Sequence, residues 1–484
     1  MTDISLISKN QRRKQKKAQW LADRKSMQIA EGIKVSRRKR RNERQTRMIE
    51  NESLSAIVHY KACTSTTCNN RIIGNNCIVR SIEPYLHHFA LYVKGRWAGR
   101  TLCEIFADEF PTLSTEYCVR AAQLGLIRVN GNNVLLDTVI NAGDFFEHIK
   151  HRHEPDVHLP LQNVMEMSTL SSLSETWIHA ETDELMVVNK PSGVPVHPTG
   201  NYQFNSLTLM LEHDRRDAAV KKKFQTFELF PVHRLDRLTS GLLILAKTPD
   251  KARSLSSELS ANFLDGDADY RSVQKFYVAR VKGEFPTTAS GFARLTSKLV
   301  KIVSASDEFW RVTAPIGLMS PRQGHKRCVI ASPDSKSCMT LLRRRGTPIG
   351  GESIVECLLV TGRTHQIRVH LQHLGFPIVN DPLYGPENND KQTKAALEQV
   401  SSILHPTAKS FNFKEEILRN TEDKCVQACE ICTAEHKKDV AVDVGDANLW
   451  LHSYRYESAN WKFEVPLPQW AKLYGTIDTC QPDT

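Results

Sequence analysis

Residues 233–241 read HRLDRLTSG and run directly into LLILAKT at 242–248. A carboxylate, Asp236, stands between Arg234 and Arg237 at the entrance to a strongly apolar run. A short apolar run behind turn-forming residues predicts a buried strand. A solvated loop could carry the same charges without consequence, so the meaning of Asp236 depends on what surrounds it in the chain.

Working outward, ELMVVNKPSGVPVHP (184–198) predicts a strand ending in a Pro and Gly loop. KFYVARVKGE (275–284) and SIVECLLVT (353–361) predict further strands. In TGRTHQIRVHLQHLGFP (361–377), Thr364 is the expected N-cap of a short helix. Ile367, Leu371 and Leu374 form its apolar face, and Gly375 with Pro377 ends it. Arg368 is thereby held on an anchored helix. Strands mixed with hairpin-like connections and a few helices predict an α+β fold rather than a regular β-α-β alternation.

A smaller unit precedes this body. AGRTLCEIFADEF places Leu102, Ile105 and Phe106 at helical spacing, and STEYCVRAAQLG opens on the cap candidate Ser114 and closes on Gly125. LIRVNGNNVLL carries an Asn-Gly hairpin signal at Asn130 and Gly131, and VINAGDFFEHI predicts a closing strand. The G-x-I-x-VNG pattern with a downstream GD resembles the αL RNA-binding fold. The expected organisation is a basic, mostly disordered extension over 1–80, the αL-like unit over 81–155, a linker over 156–174 and the main domain over 175–473. A polar insertion at about 386–447 interrupts that domain, and 474–484 is a tail. A short helix is expected around KKAQWLADRKSM, within the extension.

Of the net charge of +11, residues 1–48 alone hold 16 Lys and Arg against four acids, so the remainder is close to neutral. A dense basic arm on a balanced body implies a nucleic-acid contact or an import signal. No apolar stretch approaches the roughly 18 residues of a membrane span, and no signal region opens the chain. Twelve scattered cysteines without a secretory signal fit a reducing compartment. The chain is therefore expected to be intracellular, in the cytoplasm, nucleus or mitochondrion.

Phosphate-cradling GxxxxGK[ST] and GxGxxG strings are missing, as is a GxSxG elbow, so nucleotide-driven and serine-hydrolase chemistry have no support. Cys425, Cys429, Cys432 and His436 could supply four ligands, but their spacing is too compressed for common zinc modules, and no metal is assigned. His365, His370 and His373 point apart on a helix and read as hydrogen-bonding or surface residues.

Four blocks in order, NKPSGVPVHP, HRLDRLTSGLLILAK, KFYVARVKGE and TGRTHQIRVHLQHLGFPIVNDPLYG, resemble the RluA-type pseudouridine synthases. His233 favours that branch over RsuA-type relatives, where Gly usually takes its place. The resemblance implies a mixed, largely antiparallel sheet with a central RNA-binding cleft. It implies that Asp236 is the catalytic aspartate, Tyr277 stacks on the target uracil and Arg368 pairs with the carboxylate. Arg234 matches an arginine that fills the space of a flipped base, with Lys275, His233 and Arg237 as neighbouring RNA-binding positions. The VKGRW and HRHEP runs and the WLHSYRYES block are similar to the eukaryotic subgroup that modifies tRNA, including the anticodon loop. Asn380 departs from the family, where Gly is more usual.

The chemistry agrees with those residue types. Converting uridine to pseudouridine breaks the C1′–N1 bond, turns the base and rejoins it at C5, with no redox change and no cofactor required. A single carboxylate acts as nucleophile or base, a nearby arginine favours its charged form, and an aromatic face holds the detached uracil. Base extrusion costs a few kcal/mol, which an inserted arginine offsets. An inactive RNA-binding protein that kept the fold, or a synthase acting on rRNA or mRNA, are the alternatives. A glycosidase would want two flanking acids, and one motif-embedded acid is present.

Overall fold

The computed structural model describes residues 57–62, 77–110, 113–160, 174–220, 228–260, 273–305, 309–319, 326–385, 421–433 and 449–472. The basic arm, the helix expected near residue 20, His436 and the 474–484 tail lie outside the described residues. No helix among the described residues is long and apolar enough to cross a membrane.

The first part of the chain comprises β1 (Val58–Ala62), β2 (Cys77–Ile82), β3 (Tyr85–Tyr92), β4 (Arg100–Thr101), α1 (Leu102–Glu109), α2 (Thr115–Gln123), β5 (Ile127–Val129), β6 (Asn132–Asn133), β7 (Val139–Ile140), β8 (Phe145–Arg152) and β9 (Val157–Pro160). Strands β3-β8-β5-β6 form one sheet and β4-β7 a small second. Leu102, Ile105 and Phe106 of α1 are buried with Tyr117, Ala121 and Ile127 in a common core. The caps follow the sequence: Ser114 accepts from the Tyr117 amide, and Gly125 takes φ 71° just beyond α2. Asn130 and Gly131 turn the β5–β6 hairpin with φ 55° and 81°, the left-handed values that a two-residue type I′ turn requires.

Two boundaries differ from expectation. Strands β1 and β2 lie partly or wholly inside the 1–80 extension, and β9 lies inside the expected 156–174 linker. They form a three-stranded antiparallel sheet, β1-β2-β9, whose partners are far apart in sequence. Ile78, Ile82, Val157 and Leu159 of these strands are buried, and β2 becomes a strand by pairing with the distant β9.

The main body adds β10 (Ile178–Glu181), β11 (Leu185–Lys190), α3 (Leu207–Val220), β12 (Phe230–Pro231), β13 (Ser240–Ala246), α4 (Pro249–Ser260), β14 (Val273–Lys282), α5 (Ala289–Ala293), β15 (Lys301–Ser304), β16 (Trp310–Leu318), β17 (Arg327–Val329), β18 (Lys336–Ile349), β19 (Glu352–Leu359), α6 (Gln366–His373), α7 (Thr421–Ala428), α8 (Glu430–Thr433), β20 (Leu451–Ser458), β21 (Lys462–Glu464) and α9 (Gln469–Lys472). Its main sheet runs β10-β11-β13-β20-β14-β19-β18-β16-β15. Every pairing is antiparallel except β13 with β20, so the α+β, largely antiparallel expectation describes it.

Strand β20 lies inside the sheet, between β13 and β14. This explains Gly241 at the end of HRLDRLTSG. Its φ is 108°, and a Cβ there would lie 2.0 Å from the Ser453 carbonyl oxygen of β20, so only glycine lets the two backbones approach. Leu242 to Ala246 are all fully buried, which accounts for a strand that is apolar on both faces. Each such leucine contributes about 1.5–3 kcal/mol by burial. The strand is thus a rigid platform for the charged loop that precedes it.

Candidate active site

The loop ahead of β13 alternates between buried and exposed side chains. Leu235 and Leu238 are buried, Arg234 and Arg237 are exposed, and Asp236 lies between. The loop backbone is held from below by Lys190, whose Nζ donates to the carbonyls of Pro191, Val194 and Arg237 at 2.8, 2.8 and 3.1 Å. The Gly193 amide also donates to the Arg237 carbonyl at 2.9 Å, and the Thr239 amide to that of Asp236 at 3.0 Å. Burial pulls the Lys190 ammonium down to about 7. The NKPSG loop and the HRLDR loop are therefore one unit, and its backbone contacts leave the Asp236 side chain to face outward.

It faces a cleft of about 540 Å³ lined by His233, Arg234, Asp236, Lys275, Tyr277 and Arg368, among others. Opposite stands α6. Arg368 Nη1 lies 3.4 Å from Asp236 Oδ2 across 132 positions of sequence. The guanidinium, only 4% exposed, has a closer partner: its Nε and Nη2 donate to the two oxygens of Asp381 at 2.7 Å each. Burial alone would depress this guanidinium, but the hydrogen bonds and charge of Asp381, with that of Asp236, outweigh it and hold the group above its ordinary value.

Asp381 was not singled out from the sequence. Its carboxylate also accepts the amides of Leu383 and Tyr384 at 2.9 Å each and is fully buried, so it orients Arg368 and has no freedom to react. Asp236 is 21% exposed and meets Arg368 by a single long contact. Asn380, just before Asp381, adopts φ 64°. Glycine and asparagine are the residues that best tolerate this region, so the departure from the family pattern preserves the backbone bend.

The start of α6 corrects an expectation. Thr364 is not its N-cap; the cap position is His365, in a left-handed conformation with φ 58° and no side-chain cap bond. Gln366 fixes the turn instead, accepting from the Arg363 amide and Thr361 hydroxyl and donating to the Met339 carbonyl and Thr340 hydroxyl. The unusual backbone points the His365 ring into the cleft, with Nε2 3.8 Å from Asp236 Oδ2 and Nδ1 2.8 Å from the Tyr384 hydroxyl. Burial lowers its pKa to about 4, against the opposing charge of Asp236. His365 belongs to the site. His370 is buried against Thr340, at 3.0 Å.

Tyr277, on β14, is buried with its hydroxyl 2.9 Å from that of Tyr456 on β20. Burial raises its pKa well above the ordinary value, so it is a neutral aromatic wall. Tyr456, which the sequence reading had not picked out, also packs 5.1 Å from the His233 ring and 5.8 Å below Lys275 Nζ. His233 accepts the Ile244 amide at 3.1 Å, and burial holds its imidazole neutral. It anchors the loop to β13. Arg234 and Lys275 line the cleft, whereas Arg237 does not: its guanidinium lies over the Tyr202 ring at 5.5 Å, because two buried leucines flank a turn that sends residues 234 and 237 in different directions.

The family of RNA pseudouridylate synthases matches over residues 184–373, a span that holds Asp236, Tyr277 and Arg368 and most of the cleft lining. The mitochondrial tRNA pseudouridine(32) synthase of Saccharomyces cerevisiae is 34% identical over 420 residues, covering 81% of this chain and 77% of that one. The tRNA pseudouridine(31) synthase of the same yeast is 30% identical, covering 82% of this chain and 96% of that one. Among solved structures, Human RNA Pseudouridylate Synthase Domain Containing 4 aligns over 62% of this chain and 93% of its own, with a TM-score of 0.36 and 19% identity. On the two yeast relatives and the family match, the chain belongs to the RluA-type family of RNA pseudouridine synthases.

Proposed function

We propose that this enzyme isomerises uridine in the anticodon loop of tRNA, with Asp236 as the reacting carboxylate. The observation that carries the chemical part is the contrast between two acids sharing one arginine: Asp381 is saturated with donors, and Asp236 is left with open lone pairs toward the cleft. The cleft volume of about 540 Å³ suits one extruded nucleotide. Tyr277 supplies a neutral face against which the detached uracil turns, Arg234 fills the vacated stack, and Lys275 meets phosphate or base edge. The αL-like unit supplies a second RNA contact. The choice of tRNA, and of position 32 or its neighbour 31, rests on the names of the two yeast relatives.

In the reaction, Asp236 acts at the ribose as nucleophile or base while C1′–N1 breaks. After the base turns, C5 bonds to C1′, the C5 proton leaves to solvent and N1, freed of the ribose, takes up a proton from solvent, so no net proton is gained or lost. Arg368 holds the carboxylate in place throughout. The test is release of tritium from [5-³H]uridine-labelled tRNA transcripts, with the modified position mapped afterwards. Asp236→Asn is expected to lower the rate at least about a thousandfold, roughly 4 kcal/mol in barrier, with RNA binding retained. A rate within tenfold of the unaltered enzyme would overturn the role of Asp236, and modification confined to rRNA or mRNA would overturn the substrate.

A further inference from the structure

Of the four ligands considered from sequence, Cys429 and Cys432 fall in a cluster among the described residues. Cys425 is 1% exposed within the core of the first unit, beside α2, and His436 is outside the described residues. The other two cysteines meet a histidine pair from HRHEP instead. Cys432 Sγ lies 3.2 Å from His151 Nδ1 and 3.3 Å from His153 Nε2, Cys429 Sγ lies 3.4 Å from His153 Nε2, and the two imidazole nitrogens are 3.1 Å apart. All four ligand atoms fall within 4.8 Å of one another.

Hydrogen bonding does not account for this cluster. His153 Nε2 carries one lone pair or one proton in the ring plane, yet three heteroatoms crowd it at 3.1–3.4 Å. A cation at the centre satisfies all four atoms at once. With Zn–S near 2.3 Å and Zn–N near 2.0–2.1 Å, a tetrahedron has edges of about 3.3–3.8 Å, near the 3.1–3.4 Å of the four contacts above. The donor set, two thiolates and two imidazoles, is the one that selects tetrahedral zinc.

We propose that His151, His153, Cys429 and Cys432 form a structural zinc site that fastens the insertion to the end of β8. The two histidines lie two apart at a strand end and so share a face, while the residues between and after them face the other way. On that other face, Arg152 Nη2 donates to the Gly200 carbonyl at 2.7 Å. Glu154 accepts the amides of Gln203, Phe204 and Asn205 at 3.0, 2.8 and 2.8 Å. The HRHE run thus reaches the insertion with one face and, with the other, the loop whose Tyr202 lies under Arg237, next to Asp236. The insertion is docked independently as well: Ser114 hydrogen-bonds Glu430, and Arg120 Nη2 donates to the Ala428 carbonyl at 3.4 Å. The metal closes a clasp whose two halves are almost 280 residues apart.

The full-length chain, purified without chelator, is expected to contain about one zinc per chain by elemental analysis. After chelator treatment, titrated Co²⁺ should give the d–d bands of a tetrahedral ion with thiolate-to-cobalt charge-transfer absorption, a readout that needs no variant. Cys432→Ser and His153→Ala should each retain less than about a tenth of the zinc, while Cys328→Ser, away from the cluster, retains all of it. Metal-free protein that also fails to give the Co²⁺ spectrum overturns the site. So does a Cys429–Cys432 disulfide in freshly prepared protein, and so does full zinc in Cys432→Ser accompanied by its loss in His436→Ala.

Discussion

Asp236 in the cleft and Glu154 at the clasp are both carboxylates set among donors, and they differ in how many of their lone pairs are taken. Glu154 accepts three backbone amides and the Tyr85 hydroxyl and is 7% exposed. Asp236 has one arginine at 3.4 Å and one imidazole at 3.8 Å. Saturation makes a carboxylate a fastener, since any movement would strand buried donors. Incomplete saturation beside a cavity leaves it able to form a bond. Asp381 sits beside the cleft but is a fastener by the same measure.

The largest effect that tests this contrast comes from Asp381→Asn. It removes one half of a buried ion pair and should cost about 3–5 kcal/mol of stability, together with a loss of turnover on the order of a hundredfold as Arg368 loses its orientation. Asp236→Asn should leave the melting temperature nearly unchanged. Thermal melts and turnover on both variants decide the matter: the contrast fails if Asp381→Asn melts like the unaltered protein.

Glu154→Gln keeps the shape and weakens four hydrogen bonds at the clasp. An expected cost of about 1–3 kcal/mol in stability should come with turnover within a few-fold of the unaltered enzyme. A turnover loss as large as that of Asp236→Asn would mean that the clasp takes part in the chemistry.

The smallest effect, per group, is on pH dependence. Burial lowers His370 to about 4, and His452 and His148 to about 3. In the unfolded chain these imidazoles take up protons near 6.5, and in the folded chain only below about 4, so the unfolded state binds more protons between those values. Stability is therefore full above about pH 6.5 and falls as the pH drops toward 4. Between pH 7 and 6 each buried imidazole should remove under about 1 kcal/mol. His148 lies in the first unit and the other two in the main body. His148→Gln should flatten the acid dependence of melting in the first unit alone; stability that rises as the pH falls from 7 to 5 would contradict all three assignments.

Much was legible because it is local. The Ser114 cap, the Asn130–Gly131 turn, the apolar run of β13 and the Gly375 stop each follow from a few consecutive residues whose backbone preferences and periodicity agree. The blocks around Asp236, Tyr277 and Arg368 were recognisable for the same reason, because each is a continuous string. Thr364 was misread as a cap since its type suits one, whereas contacts from Thr361, Met339 and Thr340 force the bend onto His365 and Gln366.

What the sequence alone determined is the elements with a local signal, among them α1, α2, the β5–β6 hairpin, β11, β13, β14 and β19, together with the family and the position of the acid between its two arginines. Only the tertiary structure decided which carboxylate is held and which is open, because Asp381 collects Arg368 and the Leu383 and Tyr384 amides where the chain folds back on α6, while Asp236 meets the same arginine only across 132 positions and by one long contact. It also decided that β20 lies inside the sheet and makes Gly241 obligatory, and that Cys429 and Cys432 face His151 and His153. Spacing along a chain limits which neighbours can share a site, but it carries no information about a partner brought in by the packing of another unit, and both the cleft and the clasp are made of such partners.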